Sequence, residues 1–466
     1  MRVCVELHGL DDAFSKSIDS EIKKNWPKDV LIIHSDMDVP KGVQALLLVG
    51  ERESSHSREP FALVDRINTS HLDLNQVLYE INARLGKMTS SDLVAANPVS
   101  FVNNQSKDIS RRDLFASLRK GFTSYSDAPY VFADECETKY GCTKCVQICP
   151  VNALKSDLQS ITVDESQCNR CGLCSAICPV GAIQLPRFSE RAFLGLIDGL
   201  QKIKVESKSL LFTCNASQVE QIPWLHVEEV ADVGMVGTRH LTLAAGSGLG
   251  AVIVYCADGS CSGRSNAKES VVKISNACGS NAAIVYYLEG ENDRPAIKSI
   301  HEMSRARSEV FSLTNDVWKN YVRALELLCR QDAVVTGLGL TELNVSDTCT
   351  LCEACVVSCP HRCLNIINGV LQFNTSSCTG CGHCASICPE HSIIIKSLEH
   401  MTELRPNNVY ADEMTNCERC GKPVGSAKFL KRVSTLVGNS DPMIKYCDNC
   451  KQALAFNRLL GRNLNK

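Results

Sequence analysis

Short apolar runs separated by polar residues indicate alternating strands and helices in the first part of the chain. Residues 30–34 and 43–49 are almost entirely apolar and have the length of a strand. Residues 73–85 instead place apolar side chains three or four positions apart, which is typical of an amphipathic helix. We therefore predict a small α/β domain over residues 1–128, which ends in a polar, serine-rich linker at 97–127.

The same alternation returns between residues 189 and 340. The predicted strands lie at 210–214, 250–256 and 282–288, and the predicted helices lie at 237–245, 265–278 and 315–329. Strands that alternate with helices predict a parallel sheet covered on both faces. The glycine-rich run 246–250 follows a helix and precedes a strand, which is the reverse of a nucleotide-binding loop. We interpret this run as a helix end.

Cysteine changes this picture, because 27 of the 466 residues are cysteines and many of them follow one spacing. Three runs have the full spacing C-x2-C-x2-C-x3-C-P, which is an iron–sulfur signature. They are Cys168, Cys171, Cys174 and Cys178; Cys349, Cys352, Cys355 and Cys359; and Cys378, Cys381, Cys384 and Cys388. A fourth run consists of Cys142, Cys145 and Cys149 and also ends before a proline. Lys139 stands where its first cysteine is expected, and the nearest cysteine is Cys136.

The four runs form two pairs. Cys149 and Cys168 are 19 positions apart, as are Cys359 and Cys378, and corresponding cysteines of the two pairs are offset by 210 positions. Such a constant offset indicates an internal duplication. Cysteines at two-residue intervals let one loop place three thiolates around a cluster, so the fourth thiolate has to come from another part of the chain.

On these motifs, residues 130–186 and 343–397 each resemble a bacterial-type ferredoxin that carries two [4Fe-4S] clusters. In that family the cysteine before the proline binds the neighbouring cluster. The resemblance implies four ligand sets: Cys136, Cys142, Cys145 and Cys178; Cys168, Cys171, Cys174 and Cys149; Cys349, Cys352, Cys355 and Cys388; and Cys378, Cys381, Cys384 and Cys359. It stays open whether Cys136 completes the first set, or whether that cluster has three irons or a ligand other than cysteine.

Two other uses of these cysteines fit less well. Disulfides form in oxidising compartments, and a chain of 466 residues does not need them for its stability. Structural zinc sites have spacings that differ from paired four-cysteine runs ending in proline.

A second type of cysteine pattern closes the chain. Cys417 with Cys420, and Cys447 with Cys450, form two CxxC pairs with 26 residues between them. This is the spacing of a zinc ribbon, in which four thiolates hold one Zn2+ and stabilise a segment too short for a large core. We predict a zinc-ribbon-like tail over residues 401–466. A mononuclear iron centre of the rubredoxin type also fits these ligands.

The middle region carries a looser resemblance. Phe212 and Cys214, followed by the run Ala251–Cys261, resemble the small delta subunit of methyl-viologen-reducing hydrogenases. In that family, cysteines at related positions bind a [2Fe-2S] cluster. Ser217 stands where a partner of Cys214 is expected. Two interpretations stay open for Cys214, Cys256, Cys261 and Cys278: ligands of a fifth cluster, or small buried apolar residues of a domain that has lost its metal.

The net charge disfavours one class of function. The formal charge is −3. Four [4Fe-4S]2+ clusters and one zinc ion, each bound by four thiolates, lower it to roughly −13. A chain this acidic is a poor match for nucleic acid. The sequence shows no signal peptide and no unbroken apolar stretch that spans a membrane, so we expect a cytoplasmic protein.

These patterns predict a multidomain fold of the α/β and α+β classes. It consists of the first domain at 1–128, a βαβ-like ferredoxin module at 129–188, a central parallel-sheet domain at 189–340, a second ferredoxin module at 341–400 and the tail at 401–466. The predicted cofactors are four [4Fe-4S] clusters and one Zn2+ or mononuclear iron.

The predicted function is electron transfer by an accessory subunit of a larger oxidoreductase. Its expected partners are redox proteins, either a dehydrogenase-type or hydrogenase-type subunit or a ferredoxin. The order of the domains also resembles iron–sulfur proteins associated with formate dehydrogenases. No nucleophile–base pair or cofactor fingerprint is visible, so no catalytic residue is predicted. Two alternatives stay open: a self-contained reductase with an unrecognised flavin or nucleotide site, and an assembly or scaffold factor.

Overall fold

The fold is known from a computed structural model that covers most of the chain. It describes residues 3–8, 10, 12–26, 30–34, 45–50, 63–67, 69, 72–90, 128–157, 159–185, 188–279, 284–307, 311–314, 316–437 and 442–459. The linker predicted at 97–127 lies outside these residues. The chain divides into two compact units, one of residues 1–138 and 143–330, the other of residues 139–142 and 331–466. The domain boundaries within these units stay predictions.

The first unit begins with a four-stranded parallel sheet. Its elements are β1 (Val3–His8), α1 (Asp12–Asn25), β2 (Val30–His34), β3 (Ala45–Gly50), β4 (Leu63–Ile67) and α2 (Leu74–Ser90). The strand order is β2-β1-β3-β4 with all pairs parallel. The predicted strands at 30–34 and 43–49 and the predicted helix at 73–85 are therefore present, and the helix continues to Ser90.

A module of short elements follows in the same unit. They are β5 (Tyr130–Val131), α3 (Lys144–Ile148), β6 (Leu154–Ser156), β7 (Ile161–Val163), α4 (Leu173–Ile177) and β8 (Ile183–Gln184). The strands pair as antiparallel two-stranded ribbons, β5 with β8 and β6 with β7. Their small core is formed by Leu154, Ile161, Ile183 and cysteine side chains.

A second parallel sheet completes the first unit, as the alternation of strands and helices predicts. Its elements are α5 (Glu190–Gln201), β9 (Ser209–Thr213), β10 (Leu225–Glu229), α6 (Thr238–Gly246), β11 (Ala251–Cys256), α7 (Arg264–Cys278), β12 (Val285–Glu289), α8 (Gly290–Met303) and α9 (Val317–Leu328). The strand order is β10-β9-β11-β12, with all pairs parallel. Every residue of β9 and β11 is buried, because helices cover both faces of a parallel sheet.

Helix α2 joins the two sheets of this unit. Its apolar side chains pack on the first sheet, and its other side lies directly against α5. Gly86 and Gly199 make this approach possible, because a Cβ atom at either position would lie 2.0 Å from a backbone oxygen of the facing helix. The half-buried Lys87 and the buried Glu228 add an ion pair between α2 and β10.

The second unit contains a module similar to the first and a C-terminal extension. Its elements are β13 (Thr341–Val345), α10 (Ala354–Ser358), β14 (Leu364–Ile367), β15 (Val370–Phe373), α11 (His383–Ile387), β16 (Ile393–Ser397), β17 (Asn407–Ala411), β18 (Met414–Asn416), β19 (Pro423–Ser426), α12 (Ala427–Val437) and α13 (Asp448–Leu459). The antiparallel pairs are β13 with β16, β14 with β15, β15 with β17, and β18 with β19. Strand β17 of the predicted tail therefore extends the sheet of the second module.

Short 3-10 turns complete the described structure. They lie at Glu137–Tyr140, Ala216–Gln218, Val233–Met235, Thr375–Ser377, Met401–Leu404 and Pro442–Lys445. In the part of the chain that the structure describes, no helix combines the length and the apolar character needed to cross a membrane.

Candidate metal centres

Each of the four cysteines that precede a proline follows directly after a five-residue helix. Helices α3, α4, α10 and α11 each end one residue before such a cysteine. The four cysteines are Cys149, Cys178, Cys359 and Cys388, with φ between −69° and −67° and ψ between 112° and 116°. Proline sterically disfavours the helical conformation of the residue before it, so that residue becomes extended and the helix ends. The Cys-Pro pair therefore gives the same local turn four times.

The sulfur of each pre-proline cysteine accepts a backbone hydrogen bond from the residue four positions later. The N–H groups of Ala153, Ala182, Cys363 and Ser392 lie 3.2, 3.2, 3.3 and 3.4 Å from the sulfurs. The Ser392 hydroxyl is also 3.2 Å from the sulfur of Cys388. Burial opposes the charged form of Cys388, but the bonds from Ser392 outweigh it and lower the pKa of that thiol. These contacts favour the thiolate, the form that binds metal.

In the second module, one predicted ligand set lines a single cavity. Its members are Cys349, Cys352, Cys355 and Cys388. Apolar side chains of Ile366, Leu371 and Ile393 form part of the wall. The structure therefore brings three cysteines of one motif together with the pre-proline cysteine of the other motif.

The other set of this module contains an additional cysteine that the motif did not reveal. Cys363 is 4% exposed and its thiol is in hydrogen-bond contact with both Cys359 and Cys378. This contact is the largest cause that lowers the pKa of Cys359 to about 5 and that of Cys378 to about 6. The thiol of Cys384 lies in the electrostatic field of Cys378, Cys381 and Cys359, its predicted partners.

The first module repeats the crossed arrangement. One cavity is lined by Cys149, Cys168, Cys171 and Cys174, together with Leu154 and Val151. All four belong to the set that the sequence assigned to one cluster. The cavity again joins a pre-proline cysteine to three cysteines of the other motif.

Of the predicted ligand set Cys136, Cys142, Cys145 and Cys178, the structure groups three cysteines around one core. Cys136, Cys145 and Cys178 pack against the same small core of Leu154, Ile161 and Ile183. Cys142 is half-buried and lies in the short segment 139–142, which belongs to the other unit. The assignment of Cys136 and Cys142 as ligands therefore stays a prediction.

A buried arginine of the central domain touches the first module beside Cys178. Arg239 and Glu190 are 5% and 2% exposed in their side chains and form an ion pair with an Nη2–Oε2 distance of 2.7 Å. The Arg239 guanidinium also donates to the backbone carbonyl oxygen of Cys178. Burial raises the energy of the Glu190 carboxylate, but Arg239 and His240 overcome this and lower its pKa to about 2. Arg239 is thus a fixed cation next to a predicted cluster ligand.

In the tail, the four predicted zinc ligands converge. The sulfurs of Cys417, Cys420, Cys447 and Cys450 all lie within 4.8 Å of one another. The backbone N–H groups of Cys447, Arg419 and Cys420 donate to the sulfur of Cys417 and, against the opposing effect of burial, lower its pKa to about 6. Gly421, with φ of +71°, completes the turn after Cys420. Four converging thiolates suit a tetrahedral ion with no open position.

In the central domain, the four cysteines considered together in the sequence separate into two groups. The sulfurs of Cys214, Cys256 and Cys261 lie within 4.8 Å of one another. Cys278 instead lies 3.0 Å from Cys329, sulfur to sulfur. The interpretation of all four as ligands of one cluster does not match these positions.

Two side chains near the candidate centres were missed by reasoning from the sequence. For Cys363 the sequence contains a weak cue. It stands four residues after a pre-proline cysteine, at the position where the first module has Ala153. For Arg239 the sequence contains no cue, because Arg239 lies 61 positions from Cys178 and only the fold brings the two residues together.

The donors present fit the groups that the motifs imply. The two cavities are lined by four thiols each and by apolar side chains, and thiolate ligands in an apolar shell are the environment of iron–sulfur clusters. Backbone N–H groups already face the pre-proline sulfurs. Such contacts orient ligands and influence reduction potentials.

Comparison with known proteins supports this chemistry. Residues 161–184 match the 4Fe-4S binding domain family, and residues 342–389 match the 4Fe-4S dicluster domain family. The chain is 31% identical over 58 residues to ketoisovalerate oxidoreductase subunit VorC of Methanothermobacter marburgensis. This match covers 73% of the relative and 11% of the present chain.

Two further relatives match over shorter shares of their length. Hydrogenase-4 component A of Escherichia coli is 43% identical over 61 residues, which is 13% of this chain and 27% of the relative. Pyruvate synthase subunit PorD of Thermotoga maritima is 31% identical over 68 residues, which is 14% of this chain and 60% of the relative. The chain thus spans about a quarter of the length of the first and well over half of the second. The prediction of iron–sulfur electron transfer is confirmed at this general level.

We expect replacement of a pre-proline cysteine to remove the cluster that is bound by the other motif of its module. Cys388→Ser should eliminate the same paramagnetic signal as Cys352→Ser, because both side chains line one cavity. Cys359→Ser should instead resemble Cys381→Ser. Paramagnetic resonance of the four reduced variants, prepared anaerobically, measures this. If the Cys388→Ser spectrum resembled that of Cys381→Ser, the crossed arrangement would be wrong.

We expect Arg239 to raise the reduction potential of the cluster next to Cys178. Arg239→Met removes a buried cation and leaves the Glu190 carboxylate with His240 but without its guanidinium partner, so the more negative reduced state becomes less favourable and the potential falls by about tens of millivolts. The double variant Arg239→Met/Glu190→Gln should recover most of this change. Arg239→Lys, which keeps the charge, serves as the control. An anaerobic redox titration that gives equal potentials in all four proteins would contradict the electrostatic role.

Proposed function

Because this chain belongs to the 4Fe-4S ferredoxin-type iron–sulfur proteins, we propose that it is an accessory electron-relay subunit of a larger oxidoreductase. The observation that carries this proposal is the crossed cavity in each module. Three cysteines of one motif and the pre-proline cysteine of the other line the same space. This arrangement is the ligand pattern of two-cluster ferredoxins.

We propose four clusters, two in each module. The proposed ligands in the first module are Cys136, Cys142, Cys145 and Cys178 for one cluster, and Cys168, Cys171, Cys174 and Cys149 for its neighbour. Those in the second module are Cys349, Cys352, Cys355 and Cys388, and Cys378, Cys381, Cys384 and Cys359. Two cavities and the constant repeat offset support this count.

The residues of the chain have four tasks in this function. A [4Fe-4S] cluster, when bound, supplies one-electron oxidation and reduction. The thiolates hold the irons, and the turn at each Cys-Pro pair links the two sets of a module through one short helix. Apolar side chains such as Ile366 and Leu371 limit water near the cavity, and the N–H groups that face the sulfurs stabilise negative charge. The protein thus sets the position and the potential of each centre.

The proposed partner is a catalytic subunit of the dehydrogenase or hydrogenase type. The matched relatives are named as subunits or components of oxidoreductases, which supports this class of partner. The order of the modules around a parallel-sheet domain supports the narrower proposal of a system related to formate dehydrogenase or hydrogenase, with the central domain related to the hydrogenase delta subunit. We also propose that the protein acts in the cytoplasm.

The tail is proposed to bind one zinc ion through Cys417, Cys420, Cys447 and Cys450. The mutual distances of their sulfurs support one tetrahedral ion. The Ser426 hydroxyl donates to the carbonyl oxygen of Thr350 at 2.6 Å, so the tail is anchored on the second module, one residue from the proposed ligand Cys349. The proposed role of the zinc is structural, because Zn2+ bound by four thiolates is redox-inert and has no open position.

We expect the anaerobically purified protein to contain about sixteen irons per chain and to exchange electrons with a co-purifying enzyme. A tagged chain should bring down an oxidoreductase subunit, and the substrate of that enzyme should reduce the clusters. Absorbance at visible wavelengths measures the reduction. The variant Cys381→Ser, which lacks one proposed ligand, should receive fewer electrons per chain.

The control for this experiment is Cys278→Ala, which removes a buried cysteine outside every proposed set. It should keep the iron content and the electron transfer. About eight irons per chain would contradict the proposal of two modules with two clusters each. Reduction of the isolated chain by a nicotinamide or flavin alone would favour a self-contained reductase, and transfer of whole clusters to an apoprotein would favour an assembly factor.

We expect the tail zinc to support local structure and to take no part in electron flow. The double variant Cys417→Ser/Cys447→Ser should lose one zinc ion per chain and the order of the tail, while all clusters stay reducible by dithionite. Substitution is preferred to truncation, because strand β17 belongs to the sheet of the second module. Metal analysis and paramagnetic resonance measure the two outcomes. Loss of a cluster signal would show that these cysteines bind iron.

A further inference from the structure

Three cysteines converge at the point of the central sheet where parallel α/β folds bind ligands. The strand order is β10-β9-β11-β12, so the chain leaves β9 toward one edge and leaves β11 toward the other. Such a change of direction opens a crevice at the carboxyl ends of the two strands. Cys214 follows β9 directly, and Cys256 is the last residue of β11. Cys261 follows in the loop after β11.

The distances between the three sulfurs fit one metal ion. The sulfurs of Cys214, Cys256 and Cys261 lie within 4.8 Å of one another. Two thiolates at about 2.3 Å from one tetrahedral zinc ion are about 3.8 Å apart. Thiolates of a [4Fe-4S] cluster are attached to different irons and are therefore spread more widely, whereas a [2Fe-2S] cluster needs two thiolates on each of its two irons. Among the described residues, two groups satisfy this distance limit, namely these three cysteines and the four of the tail.

Backbone N–H groups face two of the three sulfurs, while burial raises the pKa of the Cys256 and Cys261 thiols. The N–H groups of Gly259 and Cys261 donate to the sulfur of Cys256, and the N–H group of Val233 donates to that of Cys261. Cys256 is fully buried and Cys261 is 7% exposed, whereas Cys214 is half-buried. The group thus has a closed inner side and an accessible outer side.

A carboxylate lies on the accessible side of the group. Asp258 Oδ1 lies 3.9 Å from the sulfur of Cys214. Hydrogen bonds from the N–H group and the hydroxyl of Ser260 hold this carboxylate in position, at 3.0 and 2.7 Å. Asp258 does not meet the 4.8 Å limit for all three sulfurs, so three thiolates leave the fourth tetrahedral position of a zinc ion to an oxygen ligand such as water.

Cys278 does not belong to this group. It lies at the end of helix α7, where its sulfur is 3.0 Å from that of Cys329. A cluster with two irons needs four protein ligands, and the fourth cysteine that the sequence offers is therefore used elsewhere. Three thiolates and one oxygen are sufficient for a single ion.

We propose that Cys214, Cys256 and Cys261 bind one mononuclear divalent cation of the zinc class at the carboxyl edge of the central sheet, with an oxygen ligand in the fourth position on the side of Asp258. This site is separate from the four clusters and from the tail zinc. The proposal does not depend on the electron-relay function.

The experiment counts zinc in anaerobically purified full-length protein and examines its ligands by X-ray absorption. The wild type should contain two zinc ions per chain, one in the tail and one in the central domain. Cys256→Ser and, independently, the half-buried Cys214→Ser should each remove one ion. In the tail variant Cys417→Ser/Cys447→Ser, the remaining zinc should have three sulfur neighbours and one oxygen neighbour.

The matched control is Cys278→Ala, which removes a buried cysteine of the same domain and should leave both zinc ions in place. The proposal is overturned if Cys214→Ser and Cys256→Ser leave the zinc content unchanged. It is also overturned if these variants lose two irons instead of one zinc, because the three cysteines would then hold a two-iron cluster.

Discussion

The restriction that proline places on the preceding residue is the constraint on which the candidate clusters depend. Without it, each short helix would continue through its last cysteine and keep that side chain with its own motif. The extended conformation at Cys149 and Cys388 instead ends the helix and brings each sulfur into the cavity of the opposite motif. One short helix and its Cys-Pro turn therefore connect a ligand of one set to a ligand of the other set of the same module.

Buried charge joins the first ferredoxin module to the central domain. Removing two charges from water costs several kcal/mol per ion, and an ion pair recovers this only with good geometry and additional hydrogen bonds. Arg239 meets both conditions, because it pairs with Glu190 and donates to the carbonyl oxygen of Cys178. An apolar packing contact at this position would avoid the desolvation free energy of the two charges. The Arg239 cation lies beside Cys178, where its charge acts on the potential of the proposed adjacent centre.

The same donor atom, the cysteine sulfur, is arranged in two ways in this protein. Around the cavities the thiols are spread over the wall of a space that three cysteines of one motif and one of the other share. In the tail and at the edge of the central sheet, the sulfurs approach within 4.8 Å of one another. Mutual distance, and not residue type, therefore distinguishes a site for a cluster from a site for one ion.

The sequence alone determined the local features of this protein, and the tertiary structure decided how distant parts meet. Apolar runs predicted the strands at 30–34 and 210–214, and the Cys-Pro spacing predicted the turns, because both depend on residues near in sequence. Spacing alone did not separate Cys278 from Cys214, reveal Cys363 beside Cys378, or place Arg239 next to Cys178. Those contacts join positions far apart in the chain, and they arise only when sheets and helices pack and bury their side chains together.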